Sequence, residues 1–281
     1  QRWDSPNYWV QVFDAKGVHK QTMPVEFPRK GIVHDLQITE NYVVIFYAPA
    51  FHSLERAMKG EDPFIWEPEK GTRIIAVPRN GSGENIVFET DAFFSWHFCN
   101  GFEQGGKIHI DYVWINSIPF TQAQGTGVEK QPRRMYRMTL DPASKQVTNE
   151  QFSGVFCEFS RVDERRMGKR YRYGFATCSN RDWGDAHGYN CTGRFDFETG
   201  ETKLWEYGPE ANAGEPVHVP NPDSEREEDG YLMCYVYNPG EGAFLSILSA
   251  GDFDNGPVAK IHIPGRVPNG FHANWMEGLT L

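Results

Sequence analysis

Nine histidines and five cysteines carry most of the metal-binding and nucleophilic chemistry open to this chain. His19, His34, His52, His97, His109, His187, His218, His262 and His272 are scattered. None stands in an H-E-x-x-H or H-x-x-x-H arrangement, so a zinc site on one helix face is unsupported. No Ser-His-Asp or G-x-S-x-G pattern supplies a hydrolytic nucleophile. Cys99, Cys157, Cys178, Cys191 and Cys234 contain no C-x-x-C pair, which excludes a zinc ribbon or a thioredoxin-type motif. They read as reduced thiols buried in strands of a cytoplasmic protein. His34, His97 and His272 differ from the other histidines in their neighbours. Each stands at the mouth of a strand-like run, in Gly31-Ile32-Val33-His34-Asp35, Trp96-His97-Phe98-Cys99-Asn100 and Pro268-Asn269-Gly270-Phe271-His272. A histidine in such a setting is more often a core residue with one backbone hydrogen bond than a metal ligand. Residue type and spacing leave both readings open.

The elements that must position these histidines are strands. Tyr8–Phe13, Tyr42–Tyr47, Arg73–Val77, Lys107–Trp114, Met135–Leu140, Tyr171–Thr177, Gly230–Tyr237 and Phe244–Leu248 are rich in β-branched and aromatic residues, and Gly, Pro, Asn or Asp closes each. Only 51–59 reads as a short helix. Aromatic content of 14%, 28 Gly and 18 Pro suit an all-β chain. Four hairpin turns look alike, at 13–17, 78–81, 140–144 and 197–200, and the stretch 248–261 makes a fifth. They recur at roughly 55–65 residues, near the period of a four-stranded propeller blade. A β-sandwich is the competing architecture, and the spacing favours the propeller. No composition break divides the chain, so residues 1–281 read as one propeller domain of four to five blades. The 28 basic and 38 acidic side chains give a net charge of −10, which argues against a nucleic-acid partner. No stretch is apolar enough to span a membrane, and no signal-type n-region and h-region open the chain. The basic run 161–172 has flanking acids, and the acidic run 223–230 reads as a solvated loop with Glu225 and Glu227 exposed.

The wording around the three histidines resembles the carotenoid cleavage oxygenase family. The resemblance lies in Val33-His34-Asp35-Leu36-Gln37-Ile38-Thr39-Glu40-Asn41, in His97-Phe98-Cys99-Asn100-Gly101-Phe102-Glu103, in Gly214-Glu215-Pro216-Val217-His218-Val219-Pro220, in Glu228-Asp229-Gly230-Tyr231-Leu232 and in Val267-Pro268-Asn269-Gly270-Phe271-His272. Trp66-Glu67-Pro68-Glu69-Lys70-Gly71 is similar to the lignostilbene dioxygenase and isoeugenol oxygenase branch. The motifs are co-linear from near residue 30 to the C-terminus. The resemblance implies a seven-bladed β-propeller, of which this chain supplies the last four to five blades. It implies an axial Fe(II) held by four histidines, with His34, His97 and His272 as the second, third and fourth. The first histidine and the phenol-gripping Tyr and Lys are expected upstream, which accords with a chain that opens on Gln1 rather than Met. Glu158 and Glu215 match glutamates that orient ligand histidines. Trp96, Phe98, Phe102, Phe271 and Trp275 are candidates for an apolar substrate tunnel, or for core. The activity implied is cleavage of a C=C bond of a stilbenoid or phenylpropanoid alkene by O₂, giving two carbonyl products with no protein nucleophile. The alternatives are an apocarotenoid-cleaving oxygenase of the same family, or a non-catalytic propeller that serves as a binding module. A homodimer is compatible with all three.

Overall fold

The computed structural model describes residues 7–118, 132–181 and 188–278. A first hairpin joins β1 (Tyr8–Phe13) to β2 (His19–Val25). A four-stranded antiparallel sheet follows, in the order β3 (Gln37–Ile38), β4 (Tyr42–Tyr47), β7 (Thr72–Pro78) and β8 (Ile86–Thr90). Between β4 and β7 lies a small pair, β5 (Ala50–His52) and β6 (Phe64–Trp66), around the short helix α1 (Leu54–Met58). Next comes a seven-stranded sheet made in chain order from β9 (Phe98–Gln104), β10 (Lys107–Trp114), β11 (Arg134–Leu140), β12 (Val147–Val162), β13 (Tyr173–Ser179), β14 (Cys191–Asp196) and β15 (Thr202–Glu206). The last sheet contains β16 (Asn212–Ala213), β17 (Val217–Pro220), β18 (Gly230–Asn238), β19 (Gly242–Ser249) and β20 (Pro257–Ile263). Residues 264–278 form no strand or helix.

The seven-stranded sheet is two four-stranded units that share one strand. Residues 147–151 and Phe156 of β12 pair with β11, and residues 156–158 and 161–162 pair with β13. With the first and last sheets this gives four propeller-type units and a leading hairpin. Strands expected at Tyr42–Tyr47 and Lys107–Trp114 have those bounds, and all five expected hairpins form. Gly17 and Gly200 close two of the turns at φ 76° and 78°, where a side chain would be strained.

The sheets pack face to face, and this explains the strand composition. Alternate residues of a strand point to opposite faces. In β4, Val44 and Phe46 enter the layer against β10 and β11, while Val43, Ile45 and Tyr47 enter the layer under the first hairpin. In β13, Tyr173 and Phe175 face β18 and β19, while Ala176 and Cys178 face the layer of Cys99, Phe102 and Val113. Both faces are buried, so the strands read as apolar runs rather than as alternation. All five cysteines are buried free thiols. Among the described residues, no helix is long and apolar enough to cross a membrane.

Polar clamps set the sheets against one another near the histidines. Glu103 on β9 accepts the Thr39 hydroxyl at 2.6 Å, the Asn41 backbone N–H at 2.7 Å and the Asn41 side-chain amide at 2.9 Å. The segments that carry His34 and His97 are thereby held in one register.

Candidate functional site

His34, His97 and His272 come from three separate regions and meet. The ring centroids of His34 and His97 are 5.4 Å apart, and those of His97 and His272 are 4.9 Å apart, both edge-on. His97 directly precedes β9, and its carbonyl accepts the Val113 N–H at 3.1 Å. His34 lies in the irregular lead into β3. Asp35 beside it accepts the Leu36 and Phe98 N–H groups, which ties His34 to the start of β9. His272 lies in the irregular C-terminal segment.

Each of two of these rings is backed by a glutamate. His97 donates from Nδ1 to Glu158 Oε2 at 2.5 Å, and His272 donates from Nδ1 to Glu215 Oε1 at 3.1 Å. An ionised carboxylate can only accept, so Nδ1 carries a proton, and in the neutral ring this leaves the lone pair on Nε2. His97 Nε2 is buried and has no hydrogen-bond partner among the described residues. Burial holds the His34 imidazole below its ordinary value, and the neighbouring His97 adds to the effect. This favours neutral imidazole, the form that binds metal.

Neutral imidazole nitrogens without a carboxylate ligand suit a divalent transition metal such as Fe(II), and an unsatisfied buried Nε2 is what a ligand awaiting its ion would present. Among the described residues, no group of three His, Cys, Asp or Glu side chains closes on a single metal-sized point. The three imidazoles form an open cluster rather than a finished cage.

Two cavities share that cluster. One, of about 370 Å³, is lined by the three histidines with Trp96, Phe159 and Phe271, and by Glu158 and Arg133 at its wall. The other, of about 470 Å³, lies against Ser160, Arg161, Glu164 and Glu215. The aromatic one suits a flat conjugated molecule.

Phe159 went unrecognised in the sequence. It has φ 52°, a left-handed conformation rare for a non-glycine residue and worth about 1–3 kcal/mol of strain. Its N–H donates to Glu158 Oε2 at 2.8 Å, and its ring lies 4.9 Å from the His97 ring and 5.5 Å from that of His272. Its place beside Glu158 was the available signal.

The other candidates divide. Trp96 and Phe271 line the aromatic cavity, whereas Phe98 faces the second one and packs on Phe46. Phe102 is a core residue, stacked on His109 and packed in the layer with Tyr171, because position 102 of β9 points away from the cluster. Trp275 is half exposed on the C-terminal segment. Arg161, three residues after Glu158, pairs with Glu215, its Nε 3.2 Å from Oε1. Glu227 is not an exposed acid: it is largely buried and accepts the Arg172 and Tyr173 N–H groups. Glu225 is exposed. His218 is buried in β17, donates from Nε2 to the Glu227 carbonyl at 2.9 Å and stacks on Phe175, apart from the cluster. His187 lies outside the described residues.

Comparison with known proteins gives a consistent picture. The family model described as retinal pigment epithelial membrane protein matches residues 3–277. Isoeugenol monooxygenase of Pseudomonas nitroreducens is 31% identical over 287 residues, covering 97% of this chain and 60% of that protein. Apocarotenoid-15,15'-oxygenase of Synechocystis is 30% identical over 277 residues, covering 94% and 56%. The crystal structure of Pseudomonas brassicacearum lignostilbene dioxygenase superimposes with a TM-score of 0.89 at 27% identity, covering 98% of this chain and 61% of that one. The chain thus spans somewhat over half the length of the relatives it matches.

Proposed function

The chain belongs to the retinal pigment epithelial membrane protein family, the carotenoid cleavage oxygenases, and from that premise we propose that it carries most of the metal site of a non-haem Fe(II) dioxygenase acting on a stilbenoid or phenylpropanoid alkene. The observation that carries the reading is the set of three imidazoles bordering one aromatic cavity, with His97 Nε2 buried and unsatisfied. In this reading His34, His97 and His272 hold the iron, and Glu158 and Glu215 keep His97 and His272 in the tautomer that presents Nε2. Bound iron supplies the means to react O₂ with an electron-rich alkene, so that one C=C bond gives two carbonyl products.

The residues of this chain do the positioning. Phe159 and Phe271 flank the cluster with ring faces and edges, and Trp96 packs edge-on at 4.6 Å from His34. A planar alkene laid among these rings displaces water and brings its double bond to the histidine side of the cavity. The four units act as one scaffold around the cluster. The soluble setting suggested by five reduced, buried thiols is the cytoplasm.

The reading is tested on the full-length protein by measuring iron content and by incubating it aerobically with a hydroxystilbene, an isoeugenol-type alkene and an apocarotenal. The expected result is about one iron per chain and aldehyde products from one of the two phenolic alkenes. Aldehyde from the apocarotenal alone transfers the assignment to that substrate class. A protein that binds no iron and cleaves none of the three is a binding module, and the enzymatic reading falls.

A further inference from the structure

We infer that Arg161 is a positioning residue for His272, and that the left-handed kink at Phe159 exists in part to bring Arg161 to that task. Its metal-binding arm rests on the proposed function; its anchoring arm does not.

The geometry begins with strand phase. Residues 158 and 161 are three apart, so in a regular strand their side chains point to opposite faces. Here β12 advances from Glu158 to Arg161 while β13 advances only from Thr177 to Phe175. One extra residue is therefore inserted at this point, a β-bulge, and Phe159 takes the positive φ. The insertion shifts the phase by one. Glu158 and Arg161 both reach the histidine cluster, Glu158 toward His97 and Arg161 toward the C-terminal segment.

Arg161 meets that segment at several points. Its Nη2 donates to the Ala273 carbonyl and to Asn274 Oδ1, and its Nε lies 3.2 Å from Glu215 Oε1. Glu215 in turn accepts the His272 Nδ1–H and the Ala273 N–H, the latter at 2.7 Å. Both backbone polar groups of Ala273, the residue after the histidine, are thus held by charged side chains from elsewhere in the fold. Residues 264–278 have no strand or helix of their own, and the His272 side chain is 51% exposed. Charge-assisted bonds to a planar, forked guanidinium are among the stronger polar contacts and fix direction as well as distance. Glu164, 3.8 Å from Arg161 Nη1, is the further acid beside the guanidinium.

The experiment uses the full-length protein and three variants, Arg161→Met, Arg161→Lys and, as control, Arg170→Met, which removes an exposed arginine paired with Glu198. Hydrogen–deuterium exchange is followed in the peptide covering 264–278, and Co(II) affinity is measured by absorbance titration. Arg161→Met is expected to speed exchange in 264–278 at least about tenfold with β13 and β14 unchanged, and to weaken Co(II) binding by about 10–100-fold, the usual effect of losing a residue that orients a ligand. Arg161→Lys keeps a charge near Glu215 but not the fork, and should fall between Met and wild type on both readouts. If Arg161→Met does not fold, the Lys variant decides. Exchange in 264–278 that stays at the wild-type rate, or that rises equally throughout the chain, overturns the inference. If wild-type protein binds no Co(II), the metal-binding arm of the inference falls, and the exchange data still decide whether Arg161 anchors the segment.

Discussion

His97 and His272 make the same bond, an Nδ1–H to a buried glutamate, from opposite kinds of scaffold. His97 leads directly into β9, its side chain is 12% exposed, and its partner Glu158 is built into the longest strand among the described residues. His272 is 51% exposed on a segment without regular structure; Glu215 reaches it from a short link between β16 and β17, and Arg161 from β12 holds Glu215 and the next residues, Ala273 and Asn274. One imidazole is fixed by sheet packing, the other by a set of charged tethers. A metal ligand needs a defined ring angle, and a sheet or a tether can supply it. The difference is how each fails. Packing fails only with the sheet, whereas a tether fails one contact at a time.

The bluntest way to break the comparison is to remove the rings. His34→Ala, His97→Ala and His272→Ala are each expected to abolish alkene cleavage while melting cooperatively, as read by turnover, iron content and a thermal scan. Full activity in any one of them removes that residue from the ligand set. Next in size come the glutamates. Glu158→Gln and Glu215→Gln are expected to fold, to bind iron more weakly and to lose about 10–100-fold in activity. Glu158→Gln should lie at the larger end, because Arg161 continues to hold Ala273 when Glu215 is changed. Equal losses would mean that sheet and tether are equivalent.

Acid should also weaken the fold through His218, which lies apart from the cluster. His218 lies three residues from Glu215, and burial lowers its pKa below the ordinary value, against the pull of Asp163. The unfolded chain therefore takes up a proton near pH 6.5 that the folded chain resists, and stability is full above that pH and lost as pH falls below it. One such proton gives a slope of at most about 1.4 kcal/mol per pH unit. His218→Phe should flatten denaturant-midpoint stability between pH 6.5 and 5, and an unchanged slope would discharge His218 from the effect. A smaller effect probes the kink on the sheet side. Phe159→Gly should be more stable than Phe159→Ala by about 1 kcal/mol, because only glycine occupies φ 52° freely. Equal midpoints would show that the kink stores no strain. Glu225→Gln, at an exposed acid, should change stability by less than about 0.5 kcal/mol.

How far the residues alone disclosed this arrangement follows the same division. Tyr42–Tyr47 and Lys107–Trp114 were legible because both of their faces are buried and their composition is unmixed. The first part of β12 was not, because its mixture of Asn, Gln, Glu and Ser meets solvent on one side, and its break at 158–161 is a matter of pairing rather than of composition. The three histidines and two glutamates could be singled out only through motif wording, since tens of residues separate each from its partner. Phe102 stayed open between tunnel and core in the sequence, because an aromatic near a histidine faces the site or the core according to the local strand geometry, which spacing on one strand does not reveal. Arg161 could not be placed from sequence, because it is the bulge that delivers it to Glu215.

The strand shared by the two halves of the seven-stranded sheet has a consequence for how the chain comes together. Hairpin by hairpin, β9 to β11 can assemble from local contacts, as can β13 to β15, and local contacts form fast. β12 belongs to both, so neither half is complete until the same sixteen residues have settled in both registers. The two halves cannot be separated as modules by a cut or an insertion within 147–162, whereas a cut at the exposed turn 198–201 crosses only the connection between β14 and β15. Rearrangement of the protein by whole units, through duplication or loss, is therefore open at its outer turns and closed at this strand.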